Sequence, residues 1–134
     1  MDWLDLRHRY MSMLSDMGFR PEVDSDGDIH FRYEGGNYYI TNNCDDTYFF
    51  LLFPGFWTLD SKAEQLAGLL AANNASRRVK ATKTYVTPNM DRVSVSLECL
   101  IGGPSDVRTF LMRGLRCIQQ SVTVFKEELR SMVE

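Results

Sequence analysis

Residues 48–53, Tyr-Phe-Phe-Leu-Leu-Phe, carry apolar side chains at both parities of a strand: Phe49, Leu51 and Phe53 point one way, Tyr48, Phe50 and Leu52 the other. A strand with one wet side alternates apolar with polar residues, so both faces of this one ask to be covered. Helices of the same chain can cover one face. For the second, four occupants qualify: the Phe56-Trp57 segment folding back, an overhanging terminal helix, a second subunit, or a bound client. Pro54-Gly55 is expected to break the strand.

At 134 residues the chain fits one domain, 1–134, large enough to bury roughly two-thirds of its unfolded surface without metal or disulfide staples. Its 44% apolar and 25% charged residues lie in the ordinary globular range. No apolar run approaches the roughly 20 residues of a spanning helix, and Met1-Asp2-Trp3-Leu4-Asp5 lacks the basic start of a signal peptide, so no membrane association and a cytoplasmic address are expected. A net charge of −3 argues against general attraction to nucleic acid, which needs many Lys and Arg contacts to phosphate. Cys44, Cys99 and Cys117 cannot all pair within one chain and show no CxxC spacing, so reduced thiols are expected.

Along the chain, residues 2–17 place Trp3, Leu6, Tyr10, Met13, Leu14 and Met17 at helical spacings, with Gly18 as a left-handed stop. Pro21 to Asp24 is a short strand at best, and Asp26-Gly27 signals a hairpin turn. Ile29, Phe31 and Tyr33 alternate with His30, Arg32 and Glu34, the pattern of a half-buried strand. Gly35-Gly36-Asn37 turns the chain into residues 38–41, and Asn43-Cys44-Asp45-Asp46 turns it into the apolar strand. Asp60 or Ser61 caps the next helix, with Glu64 returning a capping bond and Asn73-Asn74 ending it. Its expected inward stripe is Leu59, Ala63, Leu66, Ala67 and Leu70. A hairpin of residues 79–87 and 92–101 follows, Val93, Val95, Leu97 and Cys99 facing the core and Ser94, Ser96 and Glu98 a wet side. The last helix, 105–133 with Ser105 as N-cap, repeats Val107, Phe110, Leu111, Leu115, Ile118, Val122, Phe125, Leu129 and Met132, a stripe long enough to overhang the sheet. The pattern is α+β: an antiparallel sheet of five to six strands in the order α-ββ(ββ)-α-ββ-α.

Few residues offer chemistry. Asp24, Asp26 and Asp28 cluster around Gly27, but the glycine comes too early for a calcium loop and Tyr33 stands where the bidentate glutamate belongs, so a turn is the reading and no metal is expected. Asp45, Asp46 and Pro54 flank the apolar window as gatekeepers against strand aggregation. His8 and His30 are the only histidines, each among polar positions, which leaves little for a triad or a metal site. Cys44 sits beside two aspartates that disfavour its thiolate. Neither Gly-Gly pair matches a phosphate-loop fingerprint. Arg77, Arg78, Lys80 and Lys83 form a basic segment, with Lys80 and Lys83 at opposite strand parities. Arg108, Arg113, Arg116, Lys126 and Arg130 lie mostly opposite the apolar stripe of the last helix; they are a solvated face or a docking face for an acidic partner.

Gly18-Phe19, the strand Ile29-His30-Phe31-Arg32-Tyr33-Glu34-Gly35, Tyr39-Ile40, Asp45-Asp46 before the apolar strand, and the helix, long hairpin and helix that follow together resemble the YbjN-type family of bacterial sensory-transduction regulators, whose fold resembles type III secretion chaperones. The resemblance spans nearly the whole chain through short structural motifs. It implies helices backing an antiparallel sheet, no catalytic residues, no cofactor, homodimer formation, and protein binding or regulation. The expected function is a non-catalytic protein-binding module whose contact residues are Tyr48, Phe50, Leu52, Phe56 and Trp57, with Phe125 and Leu129 as a second set. The alternative is a small thiol- or ligand-binding enzyme domain using Cys44 or His30. A third reading is nucleic-acid binding through Arg77 to Lys83.

Overall fold

The computed structural model describes residues 1–133. Its elements are α1 (Trp3–Asp16), β1 (Glu22–Val23), β2 (Ile29–Tyr33), β3 (Gly36–Ile40), β4 (Tyr48–Thr58), α2 (Lys62–Arg78), β5 (Thr82–Val86), β6 (Arg92–Leu100), a 3-10 turn (Pro104–Asp106) and α3 (Val107–Val133). The strands form one six-stranded antiparallel sheet in the order β1-β2-β3-β4-β6-β5. The α+β class and element order are those expected. The strand count takes its upper value because Glu22 and Val23 do pair, with His30 and Ile29. No helix among the described residues is long and apolar enough to cross a membrane. Contacts divide the chain into two compact units, Met1–Phe53 with Glu98–Met112, and Pro54–Leu97 with Arg113 onward.

In the first unit the Asp2 side chain accepts the Asp5 N–H at 2.9 Å, capping α1. Leu6, Tyr10 and Leu14 are fully buried. Trp3 Nε1 and Arg7 donate to the Gly27 carbonyl at 2.9 and 3.1 Å, pinning the helix to the β1–β2 turn. That turn is longer than the expected two-residue hairpin. Asp24 Oδ1 accepts the N–H groups of Asp26 and Asp28, an Asx arrangement, and Asp28 Oδ1 accepts from Asn42 at 3.0 Å. The β2–β3 turn sits earlier than expected, at Glu34 and Gly35, both at positive φ (50° and 78°), with Tyr33 paired to Gly36. Two successive positive φ values are the type I′ solution that matches strand twist. Ile29, Phe31, Tyr38, Ile40, Phe49 and Leu51 form the core here, and the Phe49 ring meets Tyr10 at 5.5 Å and Phe110 at 5.8 Å.

In the second unit β4 does not stop at Pro54-Gly55 but runs on to Thr58. Gly55 takes φ +59° and its N–H donates to Ser94 Oγ at 2.9 Å, a local distortion that a non-glycine residue would resist. β3 pairs with β4 at Tyr39–Leu52 and Ile40–Leu51, so the missing Pro54 N–H falls outside that ladder. α2 is capped as expected, Ser61 Oγ accepting the Glu64 N–H and Glu64 the Asp60 N–H. It continues past Asn73-Asn74 because Ala71, Ala72 and Ala75 bury one face, which outweighs the weak local preference of asparagine. Ser76 Oγ donates to the Thr84 carbonyl and accepts its N–H, closing part of the β5 edge.

β5 and β6 pair in the register Thr84–Val95 and Tyr85–Ser94. The side of β6 expected to be wet is covered: Ser94 is 3% and Ser96 0% exposed. Both are short side chains paired with the longer Lys83 and Tyr85, and the Ser94 hydroxyl also accepts the Gly55 N–H. Leu59, Ala71, Ala72, Ala75, Val79, Val93, Val124 and Phe125 make the core of this unit. α3 begins two residues later than expected. Ser105 is not its N-cap but lies within the preceding 3-10 turn, whose N-cap is Gly103, and Asp106 reaches back to accept the Gly102 and Gly103 N–H groups. Leu115, Ile118 and Phe125 are fully buried, Leu129 half-buried and Met132 exposed.

Candidate partner-binding surfaces

Phe49 and Leu51 are fully buried, whereas Tyr48, Phe50 and Leu52 are half-buried. The second face of β4 is therefore partly open in the first unit, and polar and aromatic neighbours shade it. Leu52 lies opposite Tyr39. The Tyr39 ring rests 5.0 Å from the His30 ring. The Tyr48 hydroxyl donates to Glu98, and that bond, more than partial burial, raises the phenol to about 12. Leu100 is 85% exposed.

His30 Nε2 lies 2.8 Å from Asn37 Oδ1 and Nδ1 lies 2.9 Å from Glu22 Oε1. Two oxygen acceptors facing both ring nitrogens favour the doubly protonated imidazolium, so the His30 pKa is raised above its ordinary 6.5, first by the Asn37 bond and then by Glu22. A raised folded-state pKa contributes stability that is fully present below about 6.5 and disappears as pH climbs through the folded value. In an NMR titration the His30 ring is expected to titrate above 6.5, and Asn37→Ala to lower its midpoint. A midpoint that Asn37→Ala leaves in place would refute this assignment.

Four of the expected contact residues fall in the second unit. Phe56 and Trp57 turn their rings onto Phe125 at 5.3 and 6.1 Å, and Lys126 Nζ sits 5.8 Å over the Trp57 ring. Leu129 packs on the same cluster. Phe125 itself is 0% exposed, a core residue unavailable to any partner in this conformation. What sequence reading missed is on α2. Its inward face is Gly68, Ala71, Ala72 and Ala75, while Leu66, Leu69 and Leu70 stand 61%, 43% and 51% exposed. The expected stripe through Ala63, Leu66 and Leu70 thus points outward. A Cβ on Gly68 would lie 2.9 Å from Leu59, so only a glycine- and alanine-lined face permits this close approach. The row of small residues was the signal, hidden because hydrophobicity scales rank leucine above alanine.

The residues with chemical potential are mostly occupied. Burial first, then Asp45, pushes the Cys44 thiol up to about 12, and its sulfur accepts the Phe50 N–H at 3.0 Å, so it is a protonated structural group at neutral pH. Asp24, Asp26 and Asp28 stand within 4.8 Å of one another, with two of them already accepting backbone N–H groups. In the basic segment Arg78 pairs with Glu128 at 2.9 Å and Arg77 donates to Asn74.

Among the described residues, three helices and a six-stranded antiparallel sheet, ordered α-ββββ-α-ββ-α, define an α+β fold. The same fold occurs in YbjN from E. coli, a candidate transcription regulator: 12% identity, TM-score 0.64, covering 92% of each chain. An uncharacterised protein from Methanothermobacter thermautotrophicus shares it at 12% identity and TM-score 0.56, over 92% of this chain and 99% of that one. No protein-family model matches the sequence, and no curated protein matches it. The fold is that of YbjN, as the sequence motifs implied.

Proposed function

We propose that this chain is a non-catalytic, cytoplasmic protein-binding module of a regulatory or chaperone-like kind that works as a homodimer or with a protein partner. The observation that supports it best is the exposed Leu66, Leu69 and Leu70 row on α2. These positions, spaced by three and four, share one helix face, with Lys62 and Arg77 on the same face at its ends. Fully burying a leucine is worth about 1.5–3 kcal/mol, so the row offers a binding anchor that the isolated chain leaves in water. The half-open face of β4 in the first unit, with Tyr48, Phe50 and Leu52, is the second surface, and in the second unit the half-buried Phe56, Trp57 and Leu129 around Phe125 are a separate candidate set. A regulatory role fits the description given to E. coli YbjN.

Light scattering at tens of micromolar, joined to affinity capture with chemical cross-linking from cytoplasm, tests this reading. The wild type is expected to self-associate or to cross-link to a defined partner, and Leu66→Ser with Leu69→Ser and Leu70→Ser to abolish it at unchanged helical content. A wild-type monomer whose cross-links survive the triple substitution would sink the proposal.

A further inference from the structure

A concavity of about 330 Å³ in the second unit is lined by Arg78, Lys80, Arg113, Arg116, Cys117 and Gln120. Four of the lining side chains are cationic and none is a carboxylate, in a chain whose net charge is −3. Arg113 and Arg116 are exposed on one side of α3 while Leu115 and Ile118 beside them are fully buried, so packing fixes the backbone that carries the two guanidiniums. Arg78 projects from the last turn of α2 and is oriented by Glu128. Lys80 follows Val79, itself buried. Among the described residues, Lys80, Arg113 and Arg116 make no ion pair.

Like charges gathered in one hollow repel each other, and a hollow lined by one sign concentrates the field at its centre. Guanidinium forks match the oxygens of a phosphate group two at a time, and an ammonium adds a point charge. We propose that this concavity binds a small phosphorylated anion, with Arg113, Arg116 and Lys80 as its phosphate ligands and Gln120 as a neutral hydrogen-bonding wall. Its volume lies at the lower end of small-molecule sites, which are about 300–1,000 Å³. That size and the acidic balance of the chain favour a compact anion over a nucleic-acid strand, which needs an extended basic track. The site is independent of the leucine row on α2.

Inorganic pyrophosphate is the probe, titrated into the full chain by calorimetry and NMR at about 50 mM salt, where exposed charges are less screened. One-to-one binding with a dissociation constant of roughly 10–500 μM is expected. Arg113→Gln with Arg116→Gln is expected to weaken it by about tenfold or more, and Lys80→Gln, in a loop where it cannot unfold a helix, by roughly threefold. Arg9→Gln with Arg32→Gln removes the same charge from exposed positions of the first unit and should leave binding unchanged. The proposal is overturned if pyrophosphate does not bind at millimolar concentration, or if the Arg9 and Arg32 control weakens binding equally. It is overturned also if a DNA duplex, and not pyrophosphate, binds in a manner that depends on Arg113 and Arg116.

Discussion

Phe125→Ala is expected to lower stability by about 3–5 kcal/mol, the range for truncating a buried aromatic ring. Phe125 is 0% exposed and receives the Phe56 ring edge-on at 5.3 Å and the Trp57 ring at 6.1 Å. Removing it strips both rings of their packing surface and leaves a void that the flanking Ala71, Ala72 and Ala75 are too small to fill. Urea unfolding should show the midpoint falling with little change in slope, and the melting temperature should drop by roughly 10–15 °C. A loss under about 1 kcal/mol, at the level of an exposed site, would mean that the ring is not core and would return it to the list of contact residues.

Gly36→Ala is expected to cost about 1–3 kcal/mol, although replacing a strand glycine by alanine ordinarily gains about 0.5–1 kcal/mol. The reversal comes from the rings above it. A Cβ at Gly36 would lie 2.8 Å from Phe53 and 3.2 Å from Tyr38, whose rings stack on each other at 4.8 Å. The bare backbone gives the Phe53 ring its seat, so the last residue of the apolar window depends on the glycine that immediately follows the β2–β3 turn. Gly103→Ala is the control: nothing lies within 4 Å of its Cβ and its φ is −178°, so it should be neutral. If both substitutions behave alike in thermal melts, steric seating at Gly36 is refuted.

The legible parts of this chain are those in which local chemistry and burial agree. Ile29 and Phe31 alternate as in a half-buried strand and are buried as such, and Val93, Val95 and Leu97 take the core positions expected of them although the other side of β6 is covered as well. Asp2, Ser61 and Glu64 cap where capping residues stand. Errors cluster where a tertiary contact outweighed a local preference. Pro54-Gly55 reads as a break, yet Ser94 Oγ captures the Gly55 N–H and the strand continues. Asn73-Asn74 reads as a helix end, yet buried alanines on either side carry α2 to Arg78. Ser105 reads as an N-cap, yet it lies inside a 3-10 turn whose N-cap is Gly103, and Asp106 reaches back to accept the Gly102 and Gly103 N–H groups.

The same division runs through the binding surfaces. Sequence by itself determined that β4 is apolar on both faces, that Phe49 and Leu51 share one face and Tyr48, Phe50 and Leu52 the other, and that α2 carries leucines at helical spacing, because these follow from strand and helix periods alone. Only the tertiary structure decided which face of each element is inside. Gly68, Ala71, Ala72 and Ala75 let α2 approach its support closely, and close packing of small residues turned Leu66, Leu69 and Leu70 to solvent. The grouping of Arg78 and Lys80 with Arg113 and Arg116 belongs to the second category as well. Those pairs lie more than thirty positions apart in the chain, and periodicity carries no information about residues that meet only when the chain folds.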